Sequence, residues 1–418
     1  MTSTKNSETK FPFRVLMVLL DAPPSQLGGA EIQAWNLSQQ LLAQGMQVNI
    51  LTKKTFREKQ KEQQYEGITI YRIAFFLPYL ITIISRFQRR IFNKIFPPNK
   101  ELQYIYGKVW GCDAYMYGTI FFFSALLFFW KHKKQFDILH VHTIEWLAPV
   151  VTILGIIFKK KIIIKDSTMN GFEKLRFTIG GKFFQKIMIQ HCYFIAMTNF
   201  IEQNFLKNGI PKEKIFRIPN GINISSDVSS IVEEQYTCLF VGNLYQEPAK
   251  GMDILLGAWK EVVVKYPTAI LKIVGQGNIK KYENDAKELG ISKNVVFYGK
   301  QNNVSDFLKT ATIFVLPSRR EGMSNALMEA MLYGKPCIAT DISGNQDLIQ
   351  NGENGILVPV NNKNELAKAI LYLLKNDEIR KRIREKAKIT IEKNYMIEHI
   401  ASKYIQTYNT IFNENTLY

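Results

Sequence analysis

Short apolar runs alternate with longer amphipathic stretches along most of this chain. The runs are rich in aliphatic residues, as in Val15–Leu20, Gln47–Thr52 and Lys161–Lys165, and are typical of buried strands. The stretches between them carry apolar residues three and four positions apart, the spacing of a helix packed against a sheet. This alternation of strand and helix predicts right-handed βαβ units, parallel sheets and an α/β fold class.

The first of these units carries a pair of glycines between its strand and its helix. Gly28 and Gly29 precede a helix predicted from about Ala30 to Gln44, at the edge where open α/β sheets bind their ligands. A glycine has no Cβ, so its backbone N–H can approach a phosphate closely. A simple tight turn uses the same pair, and the glycines alone leave both interpretations open.

The same alternation restarts after a polar linker. The linker is Ser225–Ser230, and the first strand beyond it is predicted at Thr237–Val241. Four more strands are predicted at Ile270–Val274, Val295–Tyr298, Ile313–Leu316 and Cys337–Thr340. Three helices are predicted between about residues 363 and 412. With 418 residues, the chain is long enough for two domains, each with its own core.

The composition is that of a soluble globular protein, with 46% hydrophobic and 22% charged residues. Its four cysteines show neither metal-ligand spacing nor a paired framework, which favours a reducing compartment. The N-terminal segment lacks a small-residue cleavage site. We therefore expect a disordered start followed by the strand at Val15 rather than a signal peptide.

Positive charge is concentrated in the first half of the chain. Residues 1–220 carry 30 lysines and arginines against 14 acidic residues, a balance of +16, whereas residues 221–418 carry 24 against 22. This asymmetry predicts an anionic partner for the first half, such as phospholipid, a phosphorylated acceptor or nucleic acid. Nucleic acid is the least favoured, because no basic patch interleaved with aromatic residues lies on a recognisable binding module.

Two apolar stretches bear on membrane binding. Residues 120–130 are strongly apolar but shorter than the roughly 20 residues that a spanning helix needs, so we expect a buried helix. Leu80–Phe96 has an apolar stripe at helical spacing, with Arg86, Arg89 and Arg90 on the far side. Such a helix suits the surface of an anionic bilayer. Its periodicity fits a helix packed on its own domain about equally well, and the charge of the first half favours the bilayer.

Candidate chemistry centres on Arg320–Ala339, which reads REGMSNALMEAMLYGKPCIA. Glu321 and Glu329 lie eight residues apart there, and Ser324 is placed to cap a helix predicted from about Asn325 to Tyr333. The positive end of that helix dipole suits an anionic diphosphate. Two glutamates at this spacing also occur by chance, one capping a loop and the other solvated on a helix.

Several motifs together resemble the retaining glycosyltransferases of family 4, which have the GT-B architecture. They are REGMSNALMEAMLYGKPCIA, DILHVH at Asp137–His142, GNLYQEPAKGMD after Thr237–Val241, and KIFRIPNGIN at Lys214–Asn223. The resemblance extends from about residue 14 to about residue 410. It implies two Rossmann-like, doubly wound domains facing a central cleft.

In that architecture the domains have separate tasks. Residues 1–222 are expected to bind the acceptor and residues 223–394 the nucleotide sugar, while residues 395–418 form a helix that returns to the first domain. The implied catalytic residues are His142, near the transferred sugar and not assigned as a base, Lys250, on the diphosphate, and Glu321, on the sugar hydroxyls. The implied donor-binding residues are Gly28, Gly29, Asn243, Lys250, Tyr298, Gly322, Met323, Ser324, Asn325 and Glu329, with Glu329 on the ribose. Asn243 stands where the family usually has an arginine.

The implied activity is transfer of a hexose from a nucleotide-diphosphate sugar to a hydroxyl of a lipid-linked or polysaccharide-precursor acceptor, as in lipopolysaccharide and other cell-surface glycans. No cofactor and no metal ion are expected, because no Asp-x-Asp motif ends a strand. The expected location is the cytoplasm, peripheral on the inner face of the membrane, with no nucleic-acid partner. The residues leave open a nucleotide-sugar 2-epimerase of the same architecture, or a nucleotide-sugar-binding protein without activity.

Overall fold

A computed structural model of the protein describes residues 11–24, 28–54, 62–73, 121–144, 146–167, 169–176, 180–223, 234–245 and 248–414. The chain divides into two compact units. The N-terminal unit comprises Met1–Gly221 and Ile400–Tyr418, and the C-terminal unit comprises Ile222–His399. The sequence-based boundaries fall after residues 222 and 394.

The N-terminal unit is built on an eight-stranded sheet in the order β3-β4-β2-β1-β5-β6-β7-β8. All neighbouring strands are parallel except the edge pair β3-β4. The strands are β1 Val15–Val18, β2 Val48–Lys53, β3 Glu62–Tyr65, β4 Ile68–Ile73, β5 Ile138–Val141, β6 Lys161–Lys165, β7 Cys192–Ala196 and β8 Ile215–Arg217. The chain builds outward from β1 in both directions, so the strand order reverses between β1 and β5.

The C-terminal unit has a six-stranded, all-parallel sheet in the order β11-β10-β9-β12-β13-β14. The strands are β9 Thr237–Val241, β10 Ile270–Val274, β11 Val295–Gly299, β12 Ile313–Leu316, β13 Cys337–Thr340 and β14 Ile356–Val358. Here the order reverses between β9 and β12. Both units are therefore Rossmann-like, and the predicted α/β fold class is confirmed.

Helices connect the strands in both units. Those of the N-terminal unit are Gly29–Ala43, residues 121–132, Leu147–Ile157, Gly171–Leu175, Gly181–His191 and Asn199–Lys207. Those of the C-terminal unit are Met252–Lys265, Ile279–Glu288, Val304–Thr310, Asn325–Leu332, Ser343–Gln346, Lys363–Lys375 and Asp377–Asn394. The last helix, Ile397–Asn413, carries the chain back into the N-terminal unit. β1, β5, β12 and β13 are buried at every position, as expected for parallel strands covered on both faces.

The apolar stretch before β5 differs from its prediction. Residues 121–132 are helical, and Phe121, Ala125 and Phe129 are buried. The opposite face of this helix is exposed, so the expectation of a buried helix at 120–130 is wrong for that face, because a helix against a sheet buries only one side. No helix in the described ranges is long and apolar enough to cross a membrane. The predicted amphipathic helix Leu80–Phe96 lies outside the described residues.

Candidate active site

In the C-terminal unit, two loops flank the point where the strand order reverses. The loop after β9 carries Lys250, and the loop after β12 carries Ser318 and Glu321. The Nζ of Lys250 donates to Oε1 of Glu321 at 2.6 Å, and the Oγ of Ser318 donates to the same oxygen at 2.7 Å. The side chains of the ion pair are only 17% and 11% exposed. A short charged pair therefore lies at the edge where open α/β sheets bind their ligands.

Gly251 brings these two loops into contact. Its φ is +65°, and a Cβ at this position would lie 2.0 Å from the carbonyl oxygen of Pro317. Arg319 reinforces the contact, because its backbone N–H donates to the Ala249 carbonyl at 2.7 Å and its Nη1 donates to the Pro248 carbonyl at 2.6 Å. The neighbouring loop thus fixes the backbone on both sides of Lys250.

The sequence analysis missed Arg319. Its guanidinium donates to both carboxylate oxygens of Asp253, at 2.8 and 2.7 Å, and these bonds lower the pKa of Asp253 from its usual value. Asp253 belongs to the first turn of helix Met252–Lys265. Arg319 therefore ties that helix to the loop after β12. Its one signal in the sequence is its place two residues before Glu321.

The helix after this loop begins as the sequence predicts. Ser324 caps helix Asn325–Leu332, and its Oγ accepts the N–H of Leu327 at 3.3 Å. The turn before the cap is tightly packed, because a Cβ on Gly344 would lie 2.0 Å from the carbonyl oxygen of Gly322. The predicted donor-binding residues 322–325 thus form the N-terminal end of the helix, where its dipole is positive.

Glu329 lies farther along the same helix. Its neighbours Met328 and Ala330 are fully buried in the core of the C-terminal unit, and Glu329 itself is partly exposed. Enclosure of its carboxyl by protein raises the pKa of Glu329 to about 7. At pH 7 the group is therefore divided about equally between acid and carboxylate.

Asn243 lies in the same loop as Lys250, and Tyr298 lies on another strand of the sheet. The Oδ1 of Asn243 accepts the backbone N–H of Tyr245 at 2.9 Å, which forms an Asx turn in the loop after β9. Tyr298 is near the end of β11, with its ring edge-on to Phe307 at a centroid distance of 4.7 Å. Because β10 separates β11 from β9, Tyr298 is not among the residues that contact Lys250 in the described structure.

In the N-terminal unit, the corresponding loops follow β1 and β5. Gly28 precedes helix Gly29–Ala43, and its carbonyl accepts the N–H of Ile32 at 2.9 Å. His142 directly follows β5, with its ring centroid 4.3 Å from that of His140. The two imidazoles therefore lie on the same side of the sheet, as predicted.

Sequence comparison assigns both units to known families. The model of Glycosyltransferase Family 4 matches residues 27–226, and that of Glycosyl transferases group 1 matches residues 222–390. An uncharacterized glycosyltransferase of Methanocaldococcus jannaschii is 30% identical over 262 residues, which are 61% of this chain and 70% of that protein. The chain is a group 1 glycosyltransferase.

Further relatives of this glycosyltransferase cover different shares of its length. A phosphatidyl-myo-inositol mannosyltransferase of Mycobacterium leprae is 31% identical over 298 residues, 68% of this chain and 75% of that protein. A Haemophilus influenzae glycosyltransferase is 36% identical over 173 residues, 41% of this chain but only 48% of the relative. Among solved structures, Anabaena HepE in complex with UDP and glucose matches with a TM-score of 0.69 and 16% identity, over 95% of this chain and all of HepE. The fold is therefore the GT-B architecture expected from the sequence.

The N-terminal unit of the glycosyltransferase also contains a buried lysine that the sequence analysis did not assign to the site. Lys165 is the last residue of β6 and is buried. Its Nζ donates to Oδ1 of Asn220 at 2.8 Å and lies 5.8 Å from the ring centroid of Tyr404. Burial lowers the pKa of Lys165 to about 7. In the sequence it reads only as the polar end of an apolar strand.

Lys165 and burial together determine the charge of the two histidines. Burial is the main cause that holds the pKa of both imidazoles well below its usual value. Lys165 lowers the pKa of His140 further, and His140 and then Lys165 lower that of His142, so both rings are neutral at pH 7. The Nδ1 of His140 lies 2.7 Å from the Tyr408 hydroxyl. Within the described structure, neither ring nitrogen of His142 has a hydrogen-bond partner.

The structure thus brings Lys250, Glu321 and Ser318 into direct contact, with the helix capped by Ser324 in the same unit. His142, Gly28 and Gly29 belong to the N-terminal unit, and their roles toward a donor remain predictions. In the described ranges, no group of three or more His, Cys, Asp and Glu residues is arranged to hold a metal ion.

Proposed function

We propose that this glycosyltransferase moves a hexose from a nucleotide-diphosphate sugar to a hydroxyl of a lipid-linked acceptor, with retention of configuration and without a metal ion. The observation that carries the proposal is the 2.6 Å contact between Lys250 and Glu321, on the two loops that flank the strand-order reversal. A cation, a carboxylate and a positive helix end suit the diphosphate and the hydroxyls of such a donor.

Each of these groups has a distinct task in the proposed reaction. Lys250 and the N-terminus of helix Asn325–Leu332 share the negative charge of the diphosphate. Lys250 and Ser318 both donate to Oε1 of Glu321, and Oε2 then accepts from hydroxyls of the donor sugar. Glu329 accepts from the hydroxyls of the ribose.

The chemical step exchanges one bond at the anomeric carbon for another. The bond to the diphosphate oxygen breaks, and the bond to the acceptor oxygen forms on the same face of the sugar. The proton of the acceptor hydroxyl passes to the departing diphosphate. Negative charge grows on the diphosphate in the transition state, and Lys250 is held where it stabilises that charge.

Two relatives support the choice of donor and acceptor. The HepE structure contains UDP and glucose, and the mycobacterial relative is named for mannosyl transfer to phosphatidyl-myo-inositol. The positive balance of residues 1–220 fits an acceptor embedded in an anionic membrane. We further propose that the enzyme acts at the inner face of the membrane.

A donor panel tests the proposal. Calorimetric titration with UDP-, GDP- and ADP-hexoses identifies the nucleotide, and turnover is then measured with a lipid-linked acceptor in the presence and absence of EDTA. We expect transfer that requires the acceptor and is unaffected by EDTA. Conversion of the donor without acceptor indicates the 2-epimerase instead, and binding without turnover indicates a binding protein. A rate lost to EDTA and restored by a divalent cation contradicts the metal-independent reaction.

Replacement of the active-site lysine gives a sharper test. We expect Lys250→Ala to lower kcat by about 100-fold or more, because the leaving diphosphate loses its counter-charge. The variant should stay folded, because Ser318 still donates to Glu321, and its thermal unfolding transition checks this. Lys368→Ala is the control, because that lysine lies exposed in the same unit and pairs with Glu365 on its own helix. A Lys250→Ala enzyme with a near-wild-type rate contradicts the site assignment.

A further inference from the structure

The helix of residues 121–132 has two apolar faces, and only one of them is covered. Phe121, Ala125 and Phe129 are at most 1% exposed. Phe123, Leu127 and Trp130 are 60%, 75% and 73% exposed, and their spacing of four and three residues places them in one stripe. We call these three residues the exposed stripe. No other helix in the described ranges exposes three large apolar side chains.

The exposed stripe cannot turn inward, because the opposite face is fixed to the N-terminal unit. The Phe121 ring packs edge-on against Trp146 with centroids 5.5 Å apart, and the Phe129 ring stacks on Phe158 at 5.6 Å. Rotating the helix to cover Leu127 would expose both of these rings. An apolar stripe fixed in this orientation is the kind of surface that marks an interaction site.

Basic residues continue directly from the exposed stripe. Lys131, Lys133 and Lys134 are exposed, and the Nζ of Lys133 lies 5.3 Å from the centroid of the Trp130 ring. Tryptophan and lysine next to each other suit the boundary of a bilayer, where the ring lies among the headgroups and the ammonium reaches the phosphates. The balance of +16 over residues 1–220 adds a general attraction to anionic lipid.

We propose that the exposed stripe inserts into the headgroup boundary of an anionic phospholipid bilayer, with Lys131, Lys133 and Lys134 on its phosphates. This inference rests on the proposed function, a transferase with a lipid-linked acceptor. It adds to that function the surface by which the enzyme binds the membrane. It also assigns that surface to a segment other than Leu80–Phe96.

The position of the helix connects this surface to the expected acceptor site. The helix ends at residue 132 and β5 begins at Ile138, so a short turn reverses the chain between them. The start of the helix therefore lies toward the carboxyl end of β5, and the contact of Phe121 with Trp146 agrees with this. His142 follows directly at that end of β5. Within the exposed stripe, Phe123 therefore lies nearest to the edge of the sheet that carries His142, and Trp130 lies toward the opposite edge.

Flotation with vesicles tests the proposal without any donor or acceptor. The full-length chain is mixed with vesicles of equimolar phosphatidylglycerol and phosphatidylcholine, or of phosphatidylcholine alone, at low and high salt. We expect the double variant Leu127→Gln/Trp130→Gln to bind the anionic vesicles about tenfold or more weakly than the wild type. The triple variant Lys131→Gln/Lys133→Gln/Lys134→Gln should also bind weakly, and wild-type binding should fall with salt.

Val264→Gln is the matched control. Val264 is 77% exposed on a helix of the C-terminal unit, so this variant makes a similar change outside the unit that carries the exposed stripe and should float as the wild type does. Quenching by brominated lipid gives a second measurement. Trp130→Phe should remove the quenching of tryptophan fluorescence, and circular dichroism shows whether each variant is folded.

Several outcomes overturn the proposal. If the double variant floats as the wild type does, the protein binds the membrane through a surface other than the exposed stripe. If the wild type fails to float, no membrane surface exists, while donor turnover still decides the proposed transferase activity independently. A wild-type dimer that the double variant converts to a monomer in sedimentation assigns the exposed stripe to a second copy. A large fall in the Tm of the double variant shows instead that the chain's own residues cover the stripe.

Discussion

At the scale of a single residue, the proposed contact between Glu329 and the ribose predicts that donor binding depends on pH. Burial raises the pKa of this carboxyl to about 7, whereas hydroxyls that donate to a carboxyl favour its ionised form. We therefore expect binding of the nucleotide sugar to lower this pKa and to release a proton. Since the acid form must lose its proton first, affinity should rise as pH rises through 7, by about tenfold between pH 6 and pH 8.

Calorimetry in buffers of different ionisation enthalpy measures this release directly. At pH 7 we expect about half a proton per bound donor, because the group is then half protonated. Glu329→Gln should bind the donor with no proton release and with an affinity that does not depend on pH over this range. A wild-type enzyme that releases no proton contradicts a contact between Glu329 and the nucleotide sugar.

Asn243 offers a second test at the residue scale. Its side chain shapes the loop after β9 through the bond to Tyr245, while an arginine there would add a bidentate phosphate donor. We expect Asn243→Arg to leave kcat/KM unchanged or to raise it by up to about tenfold. Asn243→Ala separates the two effects, since it removes the turn without adding charge. If the arginine variant is the slower of the two, the added charge is harmful and phosphate contact is excluded.

At the scale of secondary-structure elements, Gly251 is the tightest contact between the two loops of the candidate site. Both its φ of +65° and the nearby carbonyl of Pro317 oppose a side chain. Gly251→Ala should therefore lower the free energy of unfolding by about 2–3 kcal/mol and reduce turnover, because the loop with Lys250 must move. Gly352→Ala is the control, since Gly352 has a φ of +77° but no atom within 4 Å of its Cβ position.

Urea denaturation of the two variants separates the cost of a positive φ for alanine from the cost of the steric overlap with Pro317. Gly352→Ala should lower the free energy of unfolding by only about 1 kcal/mol, the cost of placing alanine in the left-handed backbone region. If the free energy of unfolding falls equally in both variants, the contact with Pro317 relaxes without cost and does not position Lys250.

The strands and helices were easier to predict than the burial and the long-range contacts of their side chains. Thr237–Val241 and Ile270–Val274 were predicted with the boundaries they have, because each is an apolar run bounded by polar residues. The helix of residues 121–132 was predicted from the same kind of signal, but composition does not show which face meets a sheet. The raised pKa of Glu329 and the lowered pKa of Lys165 depend on burial by distant segments, which no local pattern records. The bond between Asp253 and Arg319 joins a helix to a loop 66 residues away in the sequence, and it was missed for the same reason.

At the scale of the whole molecule, the N-terminal unit depends on the end of the chain. Helix Ile397–Asn413 supplies Tyr404, next to Lys165, and Tyr408, next to His140. A chain ending at His399 should therefore lose the cooperative unfolding transition of the N-terminal unit, because large buried side chains are missing from its core. The transition of the C-terminal unit should remain.

Calorimetric unfolding and limited proteolysis compare this truncation with a chain that ends at Glu414. We expect the control to show both transitions and the shorter chain to be cleaved rapidly within residues 1–221. Equal resistance of the two chains to protease contradicts a structural role of the last helix.

The discontinuous N-terminal unit has a consequence for synthesis on the ribosome. Its sheet is translated first, yet its last helix follows only after all of residues 222–399, which take about 10–40 s at usual rates of elongation. During that interval Lys165 lacks its contact with Tyr404, and His140 lacks its contacts with Tyr404 and Tyr408. The N-terminal unit therefore stays incomplete, and accessible to chaperones, until the C-terminal unit has been translated. An interrupted chain therefore lacks the tyrosine rings that pack on Lys165 and His140.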